Sequence, residues 1–329
     1  MAKQEFSVVK IAERLRTEAD AYLMLEELRW GGQPPACPKC GEVGSTYYIR
    51  PMDGTESRKT RTGTRSQRRV WRCRGCRQQF SVLTDTIFHG TKISIRTWLL
   101  VIFEVCASKN SVSAWEISRK YSITNESAWH MLHRIREAMK REPVAGLLRG
   151  TIVADETWFG GKDSNRHADK RTNAGSGSTD KQPIMALVDY ETREVRSHAV
   201  ADVTARSLSA VITEQVEIDR SQLWTDSSPS YRTVGKRFNS HHAVDHSAGQ
   251  YVHNGAGTNL LEGYFSQLKR SLDGTHHHIS RQHLHRYLVQ FDWLYSNCKL
   301  DDSTRMRLLL GNVDGRRLTY APLAAGIGD

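Results

Sequence analysis

Four of the six cysteines form two pairs with the spacing of a metal site. They are Cys37, Cys40, Cys73 and Cys76, in the motifs CPKC and CRGC. Each CxxC turn can present two thiolates to one tetrahedral zinc ion, with Gly41 and Gly75 relieving backbone strain at the turns. Four sulfurs leave no open coordination position, so the single zinc would be structural. Unrelated reduced cysteine pairs or a redox dithiol are the alternatives, but neither motif has a thioredoxin-like context.

Three carboxylates have positions that suit a second kind of metal chemistry. Asp155 ends the strand-like segment TIVAD, Asp226 ends QLWTD, and Glu262 lies near the start of a later helical segment. Taken singly, each is an ordinary turn residue or the polar side of an amphipathic helix. Together they suit two Mg²⁺ or Mn²⁺ ions, since these cations prefer oxygen ligands, and two such ions can clamp an in-line phosphoryl displacement. Lys269 follows Glu262 on the same helical face, and Glu156 is expected to point away from Asp155.

The insert between the cysteine pairs is unusually basic. An inserted β-hairpin accounts for its length, and its arginines would neutralise phosphates from a rigid zinc ribbon. A solvated charged loop is the alternative interpretation. The residues expected to contact phosphate here are Arg61, Arg65, Arg68 and Arg69.

Residues 113–120 and 125–141 are expected to form a short helix, a turn and a longer helix. Apolar residues recur at helical spacing in the second helix, and Thr124 is a plausible N-cap. Arg134 and Lys140 supply basic groups around that helix. The pattern resembles a helix-turn-helix whose second helix enters a major groove. An ordinary helical hairpin packed on the following domain is the alternative.

From Thr151 onward the pattern becomes strand-rich. The segments TIVAD, PIMALVDY, EVRSHAVADV, QLWTD and HHAVD read as strands, and helical segments alternate with the later ones. The order β-β-β-α-β-α-β-α predicts an α/β (α+β) fold with a mixed sheet and helices packed on it. The carboxylates would lie on this sheet and on a helix that covers it.

Composition favours a polyanionic partner. The 329 residues include 47 Lys and Arg against 36 Asp and Glu, a formal net charge of +11. Such a surplus points to nucleic acid. The longest apolar run, residues 98–107, is too short to span a membrane, and the first 20 residues lack a signal-peptide pattern. Reduced cysteines and this start predict a cytoplasmic protein with no membrane partner.

Several of these motifs together resemble a known family. DETWFGGK, the WTD segment and TNLLEGYFSQLKR, followed by GTHHHIS and the HLHRYL helix, are similar to bacterial insertion-sequence transposases of the DDE class. The ISXO-like group of that class carries an N-terminal zinc ribbon, as the CPKC and CRGC motifs suggest here. The resemblance covers roughly residues 20–300.

The resemblance implies an RNase-H-like catalytic core preceded by a zinc ribbon and a helix-turn-helix module. Asp155, Asp226 and Glu262 would be the Mg²⁺ ligands, with Lys269 as a DNA contact near them. The expected division is a helical segment at 1–32, the ribbon with its basic hairpin at 33–85, the helix-turn-helix module at 86–148, the catalytic domain at 149–300 and a C-terminal tail with little pattern at 301–329.

The third acidic position varies in this group. Asn259 lies three residues before Glu262 on the same helical face, so it is an alternative to Glu262. Glu262 is preferred because its distance from Asp226 and its spacing from Lys269 both match the wider DDE pattern. Asn259 would then contact substrate or support the ligands.

The function expected from these features is DNA transposition. The protein would bind double-stranded DNA at terminal inverted repeats, cleave it with metal-activated water, and join the 3′-hydroxyl to target DNA. Joining two ends implies a homo-oligomer, acting at the bacterial nucleoid. A catalytically silent DNA-binding regulator derived from a transposase is the alternative, and an RNase-H-like nuclease acting on hybrids or branched DNA is a third interpretation.

Overall fold

The computed structural model describes residues 6–49, 59–60, 63–64, 69–141, 146–160, 181–244, 259–276 and 279–320. The chain divides into two compact units, the first comprising Met1–Lys140 and Lys299–Asp329, the second Arg141–Cys298. The C-terminal segment therefore belongs with the N-terminal modules. No helix within these described ranges has both the length and the apolar character needed to cross a membrane.

The first unit is built around a helix that is apolar on nearly all sides. Its helices outside the helical hairpin are α1 (Val8–Arg14), α2 (Glu18–Trp30), α3 (Ile95–Ala107) and α10 (Asp302–Gly311). In α3, eight of the thirteen residues are buried, as expected for a helix enclosed by its neighbours. A capping box starts α2, where the Thr17 and Asp20 side chains satisfy each other's backbone N–H groups.

The predicted patternless tail contains a helix that packs into this core. Met306, Leu309 and Leu310 of α10 are fully buried, and Asp301 caps the helix by accepting a hydrogen bond from the Thr304 backbone N–H at 3.1 Å. The Arg305 guanidinium donates to the Cys106 carbonyl of α3 at 2.7 Å. The tail is therefore an integral part of the first unit.

The ribbon consists of two small antiparallel sheets. Strands β1 (Thr46–Tyr48), β4 (Trp71–Cys73) and β5 (Gln79–Phe80) form one sheet in the order β1-β4-β5. The hairpin of β2 (Lys59–Thr60) and β3 (Gly63–Thr64) forms the other, within the basic insert. Phe80 packs with the cysteines against Trp30 and Trp71, which joins the ribbon to α2.

A helical hairpin follows α3, and the C-terminal half of its second helix is buried and not available to a DNA groove. The hairpin comprises α4 (Ala114–Tyr121) and α5 (Asn125–Ala138), and every residue from 131 to 136 of α5 is buried. The C-terminal segment covers α5: Tyr320 packs edge-on against Trp129 and His130, and the Asn312 amide donates to the Ala138 carbonyl at 2.8 Å. The expected helix-turn-helix is thus present as a helical hairpin, whereas entry of α5 into a major groove finds no support.

The second unit is a five-stranded mixed sheet with helices on both faces. Its strands are β6 (Leu148–Phe159), β7 (Gln182–Asp189), β8 (Val195–Ala199), β9 (Val216–Asp226) and β10 (Ser240–Val244), in the order β10-β9-β6-β7-β8. The β6–β9 and β9–β10 pairs are parallel, and β6–β7 and β7–β8 are antiparallel. Its helices are α6 (Ala205–Gln215), α7 (Arg232–Gly235), α8 (Asn259–Ser271) and α9 (Arg281–Ser296).

Strand alternation divides the core of this unit into two layers. On one face, Val153 and Ile184 pack against Leu261 and Phe265 of α8 and against the apolar side of α9. On the other face, Ile152 and its neighbours pack against α6 and the turn containing Tyr231. The predicted mixed α/β architecture is confirmed, and it agrees with an RNase-H-like core.

Candidate active site and zinc centre

Two parallel strands bring Asp155 and Asp226 to the same end of the sheet. Val153 of β6 is opposite Trp224 of β9, and each aspartate lies two residues farther along its strand. Since side chains alternate, both aspartates share the sheet face of Val153, which α8 covers. Their carboxylate oxygens, together with one from Glu156, all lie within 4.8 Å of one another. The sequence-based pairing of Asp155 and Asp226 is thus reproduced by the fold.

Glu156 joins this group although its sequence position suggested otherwise. Its backbone N–H donates to the Asp155 carboxylate at 2.8 Å, and its long side chain reaches the other two carboxylates around the end of the sheet. Burial, together with the nearby charges of Asp226 and Asp155 and opposed by a hydrogen bond from the Tyr231 hydroxyl, raises the pKa of Glu156 to about 7. The expectation that Glu156 points away is therefore wrong. Two adjacent acids at a strand end were the available signal.

Glu262, Lys269 and Asn259 all lie on α8, outside the three-carboxylate group. Glu262 is exposed in the first turn, Asn259 is the first residue of the helix, and Lys269 is exposed in the last turn. The neighbouring Leu261, Tyr264, Phe265 and Leu268 are buried against the sheet. The helix is thus held on the face that carries Asp155 and Asp226, with Glu262 on its solvent-exposed side.

A buried polar cluster that the sequence did not indicate fixes α8 to its neighbours. Asp292 of α9 accepts hydrogen bonds from the Tyr264 hydroxyl at 2.6 Å, from the Ser197 hydroxyl at 2.7 Å and from the Ser197 backbone N–H at 2.8 Å. Desolvation raises the pKa of Asp292 to about 7, although these hydrogen bonds and the charge of Arg141 oppose that rise. Tyr264 lies only two residues from Glu262, so the cluster sets the rotation of α8.

The acidic group has the donor chemistry that Mg²⁺ requires. All its ligand atoms are carboxylate oxygens, and the cation takes oxygen ligands at about 2.0–2.1 Å, so opposite ligands are about 4 Å apart. Oxygens within 4.8 Å of one another can close around one such ion with little movement. Glu156 Oε1 is buried with no hydrogen-bond partner, as an oxygen awaiting a cation would be.

The four predicted zinc ligands also come together. The Cys37 and Cys76 sulfurs are 3.6 Å apart, and those of Cys40 and Cys73 are 3.8 Å apart, with all four cysteines free of disulfides. Zinc–sulfur bonds of about 2.3 Å in a tetrahedron place sulfurs about 3.8 Å apart. The cluster therefore has the geometry of a structural zinc site.

The left-handed position in each cysteine turn follows the second cysteine. It is Gly41 in the first turn, with φ 75°, and Arg77 in the second, with φ 59°. Gly75 does not adopt a positive φ, and a Cβ there would meet only the flexible end of the exposed Glu42 side chain, so the structure does not require glycine at this position. Burial raises the pKa of the Cys37 thiol, but the backbone N–H groups of Lys39 and Cys40 donate to its sulfur and lower it to about 7.

Three of the basic residues that were expected to contact DNA lie in the described part of the chain, and each makes contacts within the protein. Arg69 pairs with Glu26 of α2 at 2.7 Å and lies over the Tyr48 ring. Arg134 is 5% exposed and donates to the His89 carbonyl at 2.7 Å, so it cannot reach into a groove from α5. Lys140 pairs with Glu137. Arg61, Arg65 and Arg68 lie outside the described residues.

Comparison with known proteins supports the assignment of both the acidic group and the zinc centre. Residues 147–296 match the family model of the ISXO2-like transposase domain, and residues 16–79 match that of the transposase zinc-ribbon domain. An uncharacterised protein in the transposable element ISH50 of Halobacterium salinarum is 21% identical over 285 residues, which cover 84% of this chain and 90% of that protein. The matched ranges contain the acidic group and all four cysteine ligands, respectively. The chain therefore belongs to the ISXO2-like, insertion-element transposases that carry an N-terminal zinc ribbon.

Proposed function

We propose that this transposase is a metal-dependent polynucleotidyl transferase that cleaves DNA at the ends of its element and joins the freed 3′-hydroxyl to target DNA. The observation that carries the proposal is the convergence of Asp155 and Asp226 within 4.8 Å on adjacent parallel strands, two residues beyond the pair Val153 and Trp224. Two carboxylates held this close repel each other, and a bound cation would relieve that repulsion.

Two Mg²⁺ or Mn²⁺ ions at this site would activate water and clamp the attacking and leaving oxygens of the displaced phosphodiester. Asp155 and Asp226 hold the metal-binding oxygens in place through the rigid strands β6 and β9. Glu262 supplies a further carboxylate from α8, and Asn259 one turn earlier contacts or supports the substrate. Lys269, two turns farther along α8, binds a DNA phosphate.

Glu262 is preferred to Glu156 as the third catalytic ligand because the two side chains approach the aspartates from opposite faces of the sheet. Asp155 and Asp226 lie on the face covered by α8, and α8 carries Glu262 in its first turn. Glu156 alternates to the opposite face, beside the buried Tyr231. A substrate entering over α8 would therefore meet Glu262, while Glu156 borders the group from behind.

DNA recognition would rest mainly on the first unit. The net charge of +11 favours phosphate contacts, which set register without reading sequence. The arginines of the basic insert, Arg61, Arg65 and Arg68, remain proposed phosphate contacts on the ribbon. Because two ends are joined in one event, the working form would be a homo-oligomer assembled on DNA at the nucleoid.

The experiment uses a supercoiled plasmid that carries the DNA flanking this reading frame. Wild-type protein, Asp226→Asn and the matched control Asp219→Asn, which removes an exposed carboxylate from the same strand, are each incubated with Mg²⁺ or with chelator. Breaks at discrete inverted repeats that require both Mg²⁺ and Asp226, and that Asp219→Asn retains, are the expected result. Specific end binding by wild-type protein with no break would overturn the proposal in favour of a silent DNA-binding regulator.

A further inference from the structure

The first unit contains a cavity of about 230 Å³ next to the N-terminal half of α5. Its wall includes Lys92 from the loop before α3, Trp98 of α3, and Ser127, His130 and Arg134 of α5. None of these lining residues has an acidic side chain. It lies outside the acidic group and the zinc centre described above.

Arg134 is a buried cation without a counter-ion at this wall. Its residue exposure is 5%, one guanidinium nitrogen donates to the His89 carbonyl at 2.7 Å, and its charged carbon lies 5.2 Å from the Trp98 ring centre. Its Nε is buried with no hydrogen-bond partner, and no carboxylate in the described part of the chain forms an ion pair with it. Burial, and then the positive charge of Arg317, lower the pKa of Arg134 to about 10.

A buried charge is ordinarily paired, because desolvating an unpaired ion is costly. The surroundings of Arg134 increase that cost, since Lys92 and Arg317 are also cationic. Ser127 lies in the first turn of α5, but its backbone N–H already donates to Thr124 Oγ1 at 3.2 Å and Glu126 is in the same turn, so the cationic side chains and not the helix end would hold an anion. A cavity that gathers these groups and contains no acid is suited to an anion that a guanidinium can bind through parallel hydrogen bonds.

We propose that this cavity binds a phosphate group of the DNA backbone, with Arg134 as the buried anchor and Lys92 as the contact at the rim. The inference rests on the proposed function, in that DNA is the polyanion this protein handles. A single phosphodiester charge matches the single unpaired guanidinium, and the exposed Lys92 leaves the site open to the surface. Such a contact positions the duplex on the first unit without reading its bases. A phosphate in this cavity would let the buried Arg134 contribute to DNA binding, whereas insertion of α5 into a groove would not.

The test measures how DNA affinity depends on salt. Fluorescence anisotropy of a labelled duplex carrying the element end is titrated with full-length protein at several NaCl concentrations. Each phosphate contact contributes about 0.9 to the slope of log affinity against log salt. Lys92→Gln, at an exposed position that folding tolerates, is expected to lower the slope by about one contact and to weaken binding at low salt. Arg134→Gln is expected to do the same, whereas Lys299→Gln, an exposed lysine away from the cavity, is expected to leave the slope unchanged.

The outcomes separate this inference from the proposed function. Absence of any DNA binding by the wild type would overturn both, whereas wild-type binding with an unchanged slope in Lys92→Gln would overturn the cavity site alone. Arg134→Gln removes a buried charge and can fail to fold, so the result for Lys92→Gln decides the test. Arg134→Lys keeps the positive charge and is used beside it as the conservative variant. Inorganic phosphate is the second probe. If it raises the Tm of the wild type more than that of Arg134→Lys while the DNA slope of Lys92→Gln stays unchanged, the ligand is free phosphate and the DNA assignment fails.

Discussion

Asp155 and Asp226 each offer a carboxylate oxygen within 4.8 Å of the other because β6 and β9 run parallel, with Val153 opposite Trp224 two residues before the aspartates. Neither residue lies in a loop that could move to separate the charges. Their mutual repulsion is therefore built into the sheet, and Glu156 adds to it. Binding a cation relieves that repulsion, so the site should couple metal binding to stability.

Asp226→Asn is accordingly expected to stabilise the metal-free protein by about 0.5–1 kcal/mol while abolishing the stabilisation that Mg²⁺ provides. In the wild type, Mg²⁺ at 100 times its Kd should add about 2.7 kcal/mol. Urea unfolding with and without Mg²⁺ measures both effects, with Asp219→Asn as the control that keeps the metal response. Equal stabilisation of wild type and Asp226→Asn by Mg²⁺ would show that Asp226 is not a ligand.

Substituting the two candidate third acids distinguishes their roles. Glu262→Gln is expected to lose at least a hundredfold in the rate of Mg²⁺-dependent end cleavage, because the side chain on the substrate face is neutralised. Glu156→Gln is expected to retain at least a tenth of the wild-type rate, because its side chain starts from the opposite face of β6 and only its half-buried carboxyl end borders the group. Single-turnover cleavage on a plasmid carrying the element end gives both rates. The reverse order of losses would assign the third position to Glu156.

The zinc centre predicts one metal ion per chain. Cys73→Ser should lose the bound zinc and unfold the ribbon, since the small sheet has little core apart from Phe80, Trp30 and Trp71. Cys298→Ser, which removes an exposed cysteine far from the cluster in sequence, should retain a full equivalent of zinc. Elemental analysis of the purified proteins measures the ratio, and a wild type that contains no zinc would contradict the assignment.

The strands and their acids could be predicted because the signals are local. TIVAD and QLWTD read as strands that end in aspartate. The second strand does end at Asp226, whereas β6 continues past Asp155 to Phe159, and the parallel pairing of the two strands brings the aspartates together. The burial of α5 could not be predicted in the same way. Its apolar stripe accounts for one covered side, but Arg134 and Arg136 are also buried, because the C-terminal segment and the loop before α3 close over the helix. Such covering depends on contacts between distant parts of the chain.

Backbone strain in the second cysteine turn offers a stabilising substitution. Arg77 adopts φ 59°, which costs a residue with a Cβ about 1–2 kcal/mol, whereas Gly41 occupies the equivalent position without that cost. Arg77→Gly is expected to stabilise the zinc-bound ribbon by about 0.5–1 kcal/mol after the entropy cost of glycine is subtracted. The exposed Arg77 side chain loses little packing. The measurement is the chelator concentration needed to release zinc. Arg77→Gly should raise it, whereas Arg77→Ala, which keeps the strained conformation, should not. An equal increase in both variants would refute the strain argument.

The buried Asp292 should make the stability of the second unit depend on pH. Its folded-state pKa is raised to about 7 from the usual 3.8 of an aspartate, so between about pH 4 and pH 7 the folded state binds more protons than the unfolded state. The free energy of unfolding therefore decreases as pH rises through this window, by an amount on the order of 2 to 4 kcal/mol. Asp292→Asn keeps the side-chain size and removes the titration, so its unfolding free energy should decrease less over the same range. Urea unfolding of both proteins at pH 5, 6, 7 and 8 gives the difference, in which the contributions of other titrating groups cancel. Parallel curves for the two proteins would show that the three hydrogen bonds from Tyr264 and Ser197 hold Asp292 ionised throughout the range, contrary to the expected dominance of burial.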